Sequence, residues 1–449
     1  MRRKIYDRLL RWKHESQGRS AILIDGARRV GKSYIAREFG KNEYDSFILI
    51  DFNNIHPDLR QIFEDYLTDL PNFFRYLSAF TGVKLVERRS LIIFDEVQQY
   101  PRARGAIKYL VEDGRYDYLE TGSLISINKN VKDIVIPSEE ERVKMYPMDF
   151  EEYLWAVGQE GIYDIVKENF ARKRPLGVMH RRAMSLFREY MAVGGMPQAV
   201  AAFAAGADFQ EVNHIKENIL NLYKADIAKY ADGQEYKVKA IFDQIPSQLN
   251  RHEKKFKLSD LTEGARMRDY DTAFFWLADS MIANIAYNAT EPNIGLRLNL
   301  DKTTLKCFMG DTGLLLTLAN GETQGGENDL YRKFVSNKLA VNHGMLVENV
   351  VAQMLRASGH DLFFFSSYSK TDSEERMEID FLVRNHEVTS RHNIRPIEVK
   401  SGPRYTFSSL DKFCRKYDQY ISNPTLLHAD DLREERGFLF LPLYMTPLL

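Results

Sequence analysis

Eight residues near the amino terminus, Gly26-Ala27-Arg28-Arg29-Val30-Gly31-Lys32-Ser33, are spaced G-x-x-x-x-G-K-S/T. The glycines let the backbone curl so that successive N–H groups face one anion, and the helix that follows adds the partial positive charge of its N-terminus. Lys32 is placed to reach the β- and γ-phosphates of a nucleoside triphosphate, and the Ser33 hydroxyl to complete an octahedral Mg²⁺ shell. Tyr34 borders the same loop. A second group supplies what hydrolysis needs. The apolar stretch "SLIIFDEVQ" ends in Asp95-Glu96. Asp95 can hold Mg²⁺ through water, and Glu96 can orient or deprotonate the attacking water. "YLETGS" then offers Ser123, or else Thr121, as a polar contact to the γ-phosphate, and a simple loop cap accounts for either hydroxyl equally well. The pattern predicts a site for ATP and Mg²⁺. Lys32 and Glu96 are its candidate catalytic residues, Gly26 to Tyr34, Asp95 and Ser123 bind the nucleotide, and Ser33 and Asp95 bind the metal.

A different chemistry is written near the carboxyl terminus. Glu348 lies in the amphipathic stretch "GMLVENVVAQMLRASGH", Asp380 in "MEIDFLV", and Glu398 and Lys400 in "IRPIEVKSG". Alternation along a strand puts Glu398 and Lys400 on one face. Carboxylates converging there from Glu348, Asp380 and Glu398 would bind a divalent metal, and the lysine would activate water or stabilise charge on phosphorus. This matches the PD-(D/E)XK nuclease pattern, with Asp380, Glu398 and Lys400 as candidate catalytic residues; a solvated strand face of alternating charge, or a nuclease fold that has lost activity, carries the same letters. "KSGPRYTFSSLDKFCRKY" and "RHEKKFK" mix basic and aromatic residues that suit either a phosphate backbone or a solvated surface. The 10 histidines include no pair spaced like HExxH, which removes that class of metalloenzyme.

Elements must hold these groups. "AILIDG", "SFILIDFN", "SLIIFDEV" and "YDYLETGS" are short and almost continuously apolar, as buried parallel strands are. Helix-period segments such as "SYIAREFG" and "RQIFEDYLTDLPNFFRYLSAF" alternate with them, which predicts a parallel sheet flanked by helices. The expected domains are 1–160 for the nucleotide, a helical region 161–235, a winged-helix-like domain 236–325 built from three short helices and a strand, and a strand-rich domain 335–449. The middle of these includes a helix after the "LSD" cap, and "LANGETQGGENDLYRK" is the clearest linker. With 449 residues, 44% hydrophobic and 28% charged, the chain is too long for one ordinary core and reads as globular. The 62 basic and 63 acidic residues nearly cancel, so contact with nucleic acid must come from a local patch. Cys307 and Cys414 form no CxxC, no segment has the apolar length of a membrane span, and the start "MRRKIYDRLLRWKHES" is charged. These features predict a cytoplasmic protein without membrane contact.

The motifs "GARRVGKS", "IIFDEVQ", "ETGS", "RVKMYPMDFEEYL", "YMAVGGMPQAV", "LYKADIAKY" and "FMGDTGLL", in this order, resemble the bacterial and archaeal AAA-type ATPases with a C-terminal domain of unknown function. The resemblance covers essentially the whole chain. It implies an α/β P-loop ATPase module, a helical and winged-helix middle, and a C-terminal α/β domain related to restriction endonucleases. Ser33 stands where the family commonly has Thr, and Glu141 where a Gly usually precedes Arg142. Arg115 and Arg142 are candidates by position for a trans-acting arginine. The function expected on these grounds is a Mg²⁺-dependent ATPase whose nucleotide state controls a nuclease-like, DNA-facing tail. The alternative is a non-cutting ATP-dependent switch or adaptor that binds DNA or protein, another copy of the chain included, through the winged helix and an inactive nuclease-like tail.

Overall fold

The computed structural model describes residues 1–123, 138–251, 253–293, 295–321, 327–336, 343–385, 392–402 and 404–449. Part of the "LANGETQGGENDLYRK" stretch, His252 of "RHEKKFK" and Pro403 of "KSGPRYTF" lie outside them. The described chain forms two compact units, Met1–Tyr146 with Asp279–Met281, and Pro147–Ala278 with Ile282–Leu449. No helix among the described residues is long and apolar enough to cross a membrane.

The first unit is an α/β layer structure. Its strands are β1 (Ala21–Asp25), β2 (Ser46–Asp51), β3 (Ser90–Asp95), β4 (Asp117–Gly122) and β5 (Glu140–Lys144), in the spatial order β2-β3-β4-β1-β5. Every pairing is parallel. β1, β3 and β4 are buried along their whole lengths, which is why they read as continuous apolar runs. The segment around "TDLP" reads as one helix but forms two, Pro57–Tyr66 and Leu70–Thr81. Asp69 caps the second by accepting from Asn72 N, and Pro71 sits in its first turn. Phe52, Phe63, Phe73, Phe94 and Tyr100 pack edge-on or stacked at 5.0–5.8 Å between ring centroids and fill the core on this side of the sheet.

The second unit begins with helices, among them Phe150–Ala156, Glu160–Ala171, Val178–Val193 and Phe209–Tyr230. Its strands are β6 (Ala283–Ala289), β7 (Leu300–Met309), β8 (Phe363–Ser367), β9 (Met377–Arg384), β10 (Ile394–Val399), β11 (Thr425–His428), β12 (Arg433–Glu435) and β13 (Phe438–Pro442). They form one mixed sheet ordered β12-β13-β11-β10-β9-β8-β6-β7. β6 and β7 are antiparallel to each other, and β6 pairs in parallel with β8. Residues 236–325 and 335–449 therefore share a sheet. The helix expected after "LSD" is replaced by two single 3-10 turns, Leu258–Asp260 and Met267–Asp269. Lys257, at the cap position, makes no side-chain cap bond, and Gly264 interrupts with φ +74°.

"YMAVGGMPQAV" and "FMGDTGLL" meet in this unit. A Cβ on Gly313 would lie 2.5 Å from the Gly194 Cα, so the two backbones touch where side chains cannot fit. Buried Asp311 accepts from Gly195 N at 2.6 Å and from Leu314 N at 2.9 Å, joining the two motifs. Gln353 accepts from Thr312 N and Oγ1, both at 2.8 Å, and donates to Tyr190 at 3.0 Å. These motifs are packing devices.

Candidate functional site

The loop Gly26–Gly31 connects the end of β1 to the helix Lys32–Glu43. Gly31 caps that helix at φ +100°, a conformation that only glycine adopts readily, and Arg29 is also left-handed at φ +71°. From the other side, Arg3 Nη1 donates to Val30 O at 2.9 Å and holds the loop. The Lys32 ammonium is buried and donates to Gly26 O at 2.9 Å and Ala27 O at 3.0 Å, so the side chain curls over its own loop. Burial lowers its pKa, and Glu96, Asp25 and Asp95 oppose that shift. Tyr34 is exposed and Arg28 half-buried beside the loop.

β3 delivers Asp95 to the same point. Ser33 Oγ donates to Asp95 Oδ1 at 2.8 Å, and Thr121 Oγ1 donates to the same oxygen. Glu96, the next residue, is left-handed at φ +53°, and its N–H donates to Thr121 Oγ1 at 3.1 Å. Gln98 Nε2 donates to Glu96 Oε2 at 2.6 Å, and Ser123 Oγ reaches that oxygen at 3.4 Å. Of the two hydroxyls read from "ETGS", Thr121 therefore touches Asp95 and Ser123 touches Glu96. Sequence reasoning missed Gln98 and Arg3, whose partners are distant or are set by a turn. The donors fit Mg²⁺: a hydroxyl and a carboxylate oxygen, both hard ligands, already face each other beside a loop of backbone amides.

Other positions fall differently. Arg115 is held by Asp113 through bonds of 2.7 and 2.8 Å within its own unit. Arg142 Nη1 lies 4.0 Å from Asp25 Oδ2 at the end of β1, where burial raises the Asp25 pKa. Glu141 accepts from Ser20 Oγ at 2.6 Å and from Arg8 at 3.3 Å, tying β5 to the helix Ile5–Ser16.

In the tail, Glu378 and Asp380 stand on β9 and Glu398 on β10, with Lys400 just past its end and Glu348 on the helix His343–Ala357. Asp380 Oδ2 accepts from Val399 N at 2.9 Å, and Lys400 pairs with Glu398. Burial raises the Glu398 pKa to about 7 and also lifts that of Glu348. Two lysines complete the group: Lys306, which the sequence did not single out, and Lys254 of the basic run "RHEKKFK". Lys306 Nζ on β7 is 3.0 Å from Glu378, 3.4 Å from Asp380 and 3.9 Å from Glu348, while Lys254 pairs with Glu348 and donates to Gly344 O at 3.1 Å. Among the described residues, no three His, Cys, Asp or Glu side chains are grouped to hold a metal ion. The basic side chains of the two runs largely meet carboxylates, most of them outside the runs. Arg251 meets Asp260, Lys255 and Lys257 meet Glu253, and Lys416 and Arg415 meet Glu375 and Glu374.

Residues 18–154 match the family described as AAA domain, residues 184–325 a domain of unknown function (DUF8612), and residues 343–445 another domain of unknown function (DUF4143). No curated protein matches the chain. Among solved structures, a signal transduction ATPase (STAND) protein with a tetratricopeptide repeat sensor from Pyrococcus horikoshii is similar at 10% identity and TM-score 0.28, over 77% of this chain and 47% of that one. The chain thus spans about half the length of that protein. The Orc1 protein of Aeropyrum pernix, solved in complex with DNA, is similar at 12% identity and TM-score 0.26, over 75% of this chain and 94% of that one. Cdc6p of Pyrobaculum aerophilum gives 11% identity and TM-score 0.25, with the same coverages of 75% and 94%. At these values the structural likenesses assign no function. The match of residues 18–154 to the AAA domain supports an AAA-type ATPase.

Proposed function

We propose that the chain binds ATP with Mg²⁺, hydrolyses it at Lys32, Ser33, Asp95 and Glu96, and uses the nucleotide state to control its tail. The observation that carries this reading is the bond of 2.8 Å between Ser33 and Asp95 beneath a loop whose lysine is buried against its own carbonyls. The loop amides and the Lys32 ammonium bind the phosphates once the lysine leaves Gly26 O and Ala27 O. Ser33 and Asp95 would hold Mg²⁺, which would supply neutralisation of phosphate charge. Thr121 fixes Asp95 and the backbone of Glu96. Glu96 takes the proton of the attacking water, and Gln98 and Ser123 orient its carboxylate.

The tail reading is an α/β nuclease-like domain facing DNA, preceded by a winged-helix-like segment in a cytoplasmic protein. The strand pair β9–β10 carrying Asp380 and Glu398 supports the nuclease-like part. The second reading, a switch that binds DNA or protein without cutting, is favoured by Lys306 within ion-pair distance of the tail carboxylates. ATP turnover by purified protein tests the core of the proposal. Lys32→Ala is expected to abolish ATP binding and turnover. Glu96→Gln is expected to retain ATP while slowing hydrolysis at least about 100-fold. Turnover that survives Lys32→Ala refutes the site assignment.

A further inference from the structure

Lys306 is 1% exposed along its side chain, deeper than any of the carboxylates it meets. It stands on the edge strand β7, opposite Ala286 of β6, whereas Asp380 and Glu378 stand on β9. In the sheet order β9-β8-β6-β7 the lysine therefore reaches over two intervening strands. Its ammonium lies 5.1 Å from the ring centroid of Phe364 on β8, so an aromatic face supports the charge along the way. A buried ammonium is costly unless paired, and this one has three carboxylates within 3.9 Å. Burial by itself would lower the Lys306 pKa, but Asp380, Glu348 and Glu378 outweigh it and raise the value above that of ordinary lysine.

We infer that Lys306, aided by Lys254, is the built-in cation of the tail's carboxylate cluster, so that the cluster takes no divalent metal and the tail does not cut nucleic acid by metal-assisted hydrolysis. Charge decides the point. Glu348, Glu378, Asp380 and Glu398 are faced by the ammonium groups of Lys254, Lys306 and Lys400, which leaves at most a single negative charge, since burial favours the protonated forms of Glu348 and Glu398. A divalent ion would overshoot that charge and force ammonium groups and the metal into one buried space. Glu348 Oε2 and Glu398 Oε2 are buried without hydrogen bonds, as open metal ligands would be, but Glu348 Oε2 already has the Lys306 ammonium at 3.9 Å. The chain's own residues thus do not fit the metal that a nuclease of this pattern would hold. Lys306 is fixed there because Leu305–Met309 of β7 pair in register with Ala283–Tyr287 of β6, and β6 pairs with β8. The inference stands apart from ATP hydrolysis and holds whether or not the first unit turns over nucleotide.

The test is Mn²⁺ binding to the full-length, nucleotide-free chain, read from loss of the free-ion paramagnetic resonance signal. An Asp95→Asn background removes the carboxylate of the nucleotide site. The parent in this background is expected to take up no Mn²⁺ at submillimolar concentration. Adding Lys306→Met is expected to create one site per chain that Asp380→Asn abolishes, and Lys306→Arg, which keeps the charge, is expected to match the parent. Uptake of one Mn²⁺ by the parent, lost on Asp380→Asn, overturns the inference. So does a folded Lys306→Met chain that binds no more Mn²⁺ than its parent. If Lys306→Met fails to fold, the parent titration and the Lys254→Met variant, at the 11%-exposed rim of the cluster, carry the decision on the same terms.

Discussion

At the scale of single residues, the proposed nucleotide site divides into groups placed to touch ATP and groups that hold those in place. Gln98 belongs to the second kind. Its amide donates to Glu96 Oε2 at 2.6 Å and lies 3.5 Å from Ser123 Oγ, while the Glu96 backbone is held left-handed at φ +53°. A hydrogen bond to a charged group contributes about 1.5–3 kcal/mol. Gln98→Ala is therefore expected to lower kcat about tenfold or more while leaving the affinity for an ATP analogue within about twofold. A matching fall in affinity would mean that Gln98 supports the loop as a whole. The residues proposed for the chemistry can be named from the sequence because Lys32 and Ser33 are neighbours in a motif and Asp95-Glu96 end an apolar strand. Gln98 cannot, since an amide two residues past a carboxylate reads as an ordinary turn. Lys306 was hidden for another reason. In "DKTTLKCFM" a lysine on an alternating strand reads as solvent-facing, and only the order of strands in the sheet reveals carboxylates in front of it.

At the scale of elements, β1, β3 and β4 follow the apolar runs closely, because strands buried on both faces leave an unbroken signature, whereas β2, β8 and β9 are buried over only part of their lengths. What the sequence concealed is association. β6 and β7 read as part of a small separate domain, yet β6 pairs with β8 across a long stretch of chain. Local periodicity carries no record of such a pairing. The junction of Gly194 with Gly313 lies on the same scale. Neither position announces a partner, but a Cβ on Gly313 would meet the Cα of Gly194 at 2.5 Å and its N at 2.6 Å, both backbone atoms. Because backbone yields little, Gly313→Ala is expected to destabilise the second unit by about 2 kcal/mol or more. Gly161→Ala serves as the control. Nothing lies within 4 Å of a Cβ there, in the helix Glu160–Ala171, so the change is expected to be neutral or stabilising by up to about 1 kcal/mol. Urea unfolding followed by far-ultraviolet circular dichroism measures both. Equal stabilities for the two variants would remove the close contact from the account.

At the scale of the whole molecule, the proposal requires that occupancy of the first unit alter the second. Each unit has its own apolar cluster, so each can melt as a cooperative body. A ligand that binds only the folded form stabilises it by RT ln(1 + [L]/Kd), about 2.7 kcal/mol at a hundredfold excess over Kd. Differential scanning calorimetry with Mg²⁺ and a non-hydrolysable ATP analogue therefore separates two cases. If nucleotide state controls the tail, both transitions move on adding ligand, since linkage makes the coupling reciprocal. If the first unit binds nucleotide without passing anything on, its transition rises alone. Gly313→Ala sharpens the distinction, because it lowers the transition of the second unit and so assigns the peaks without touching the nucleotide site. Lys32→Ala supplies the other control and should leave both transitions unmoved by the analogue. A shift confined to the first transition, with Lys32 intact, would leave an ATPase whose tail does not respond to its nucleotide, and the switch reading would fall while the site assignment stood.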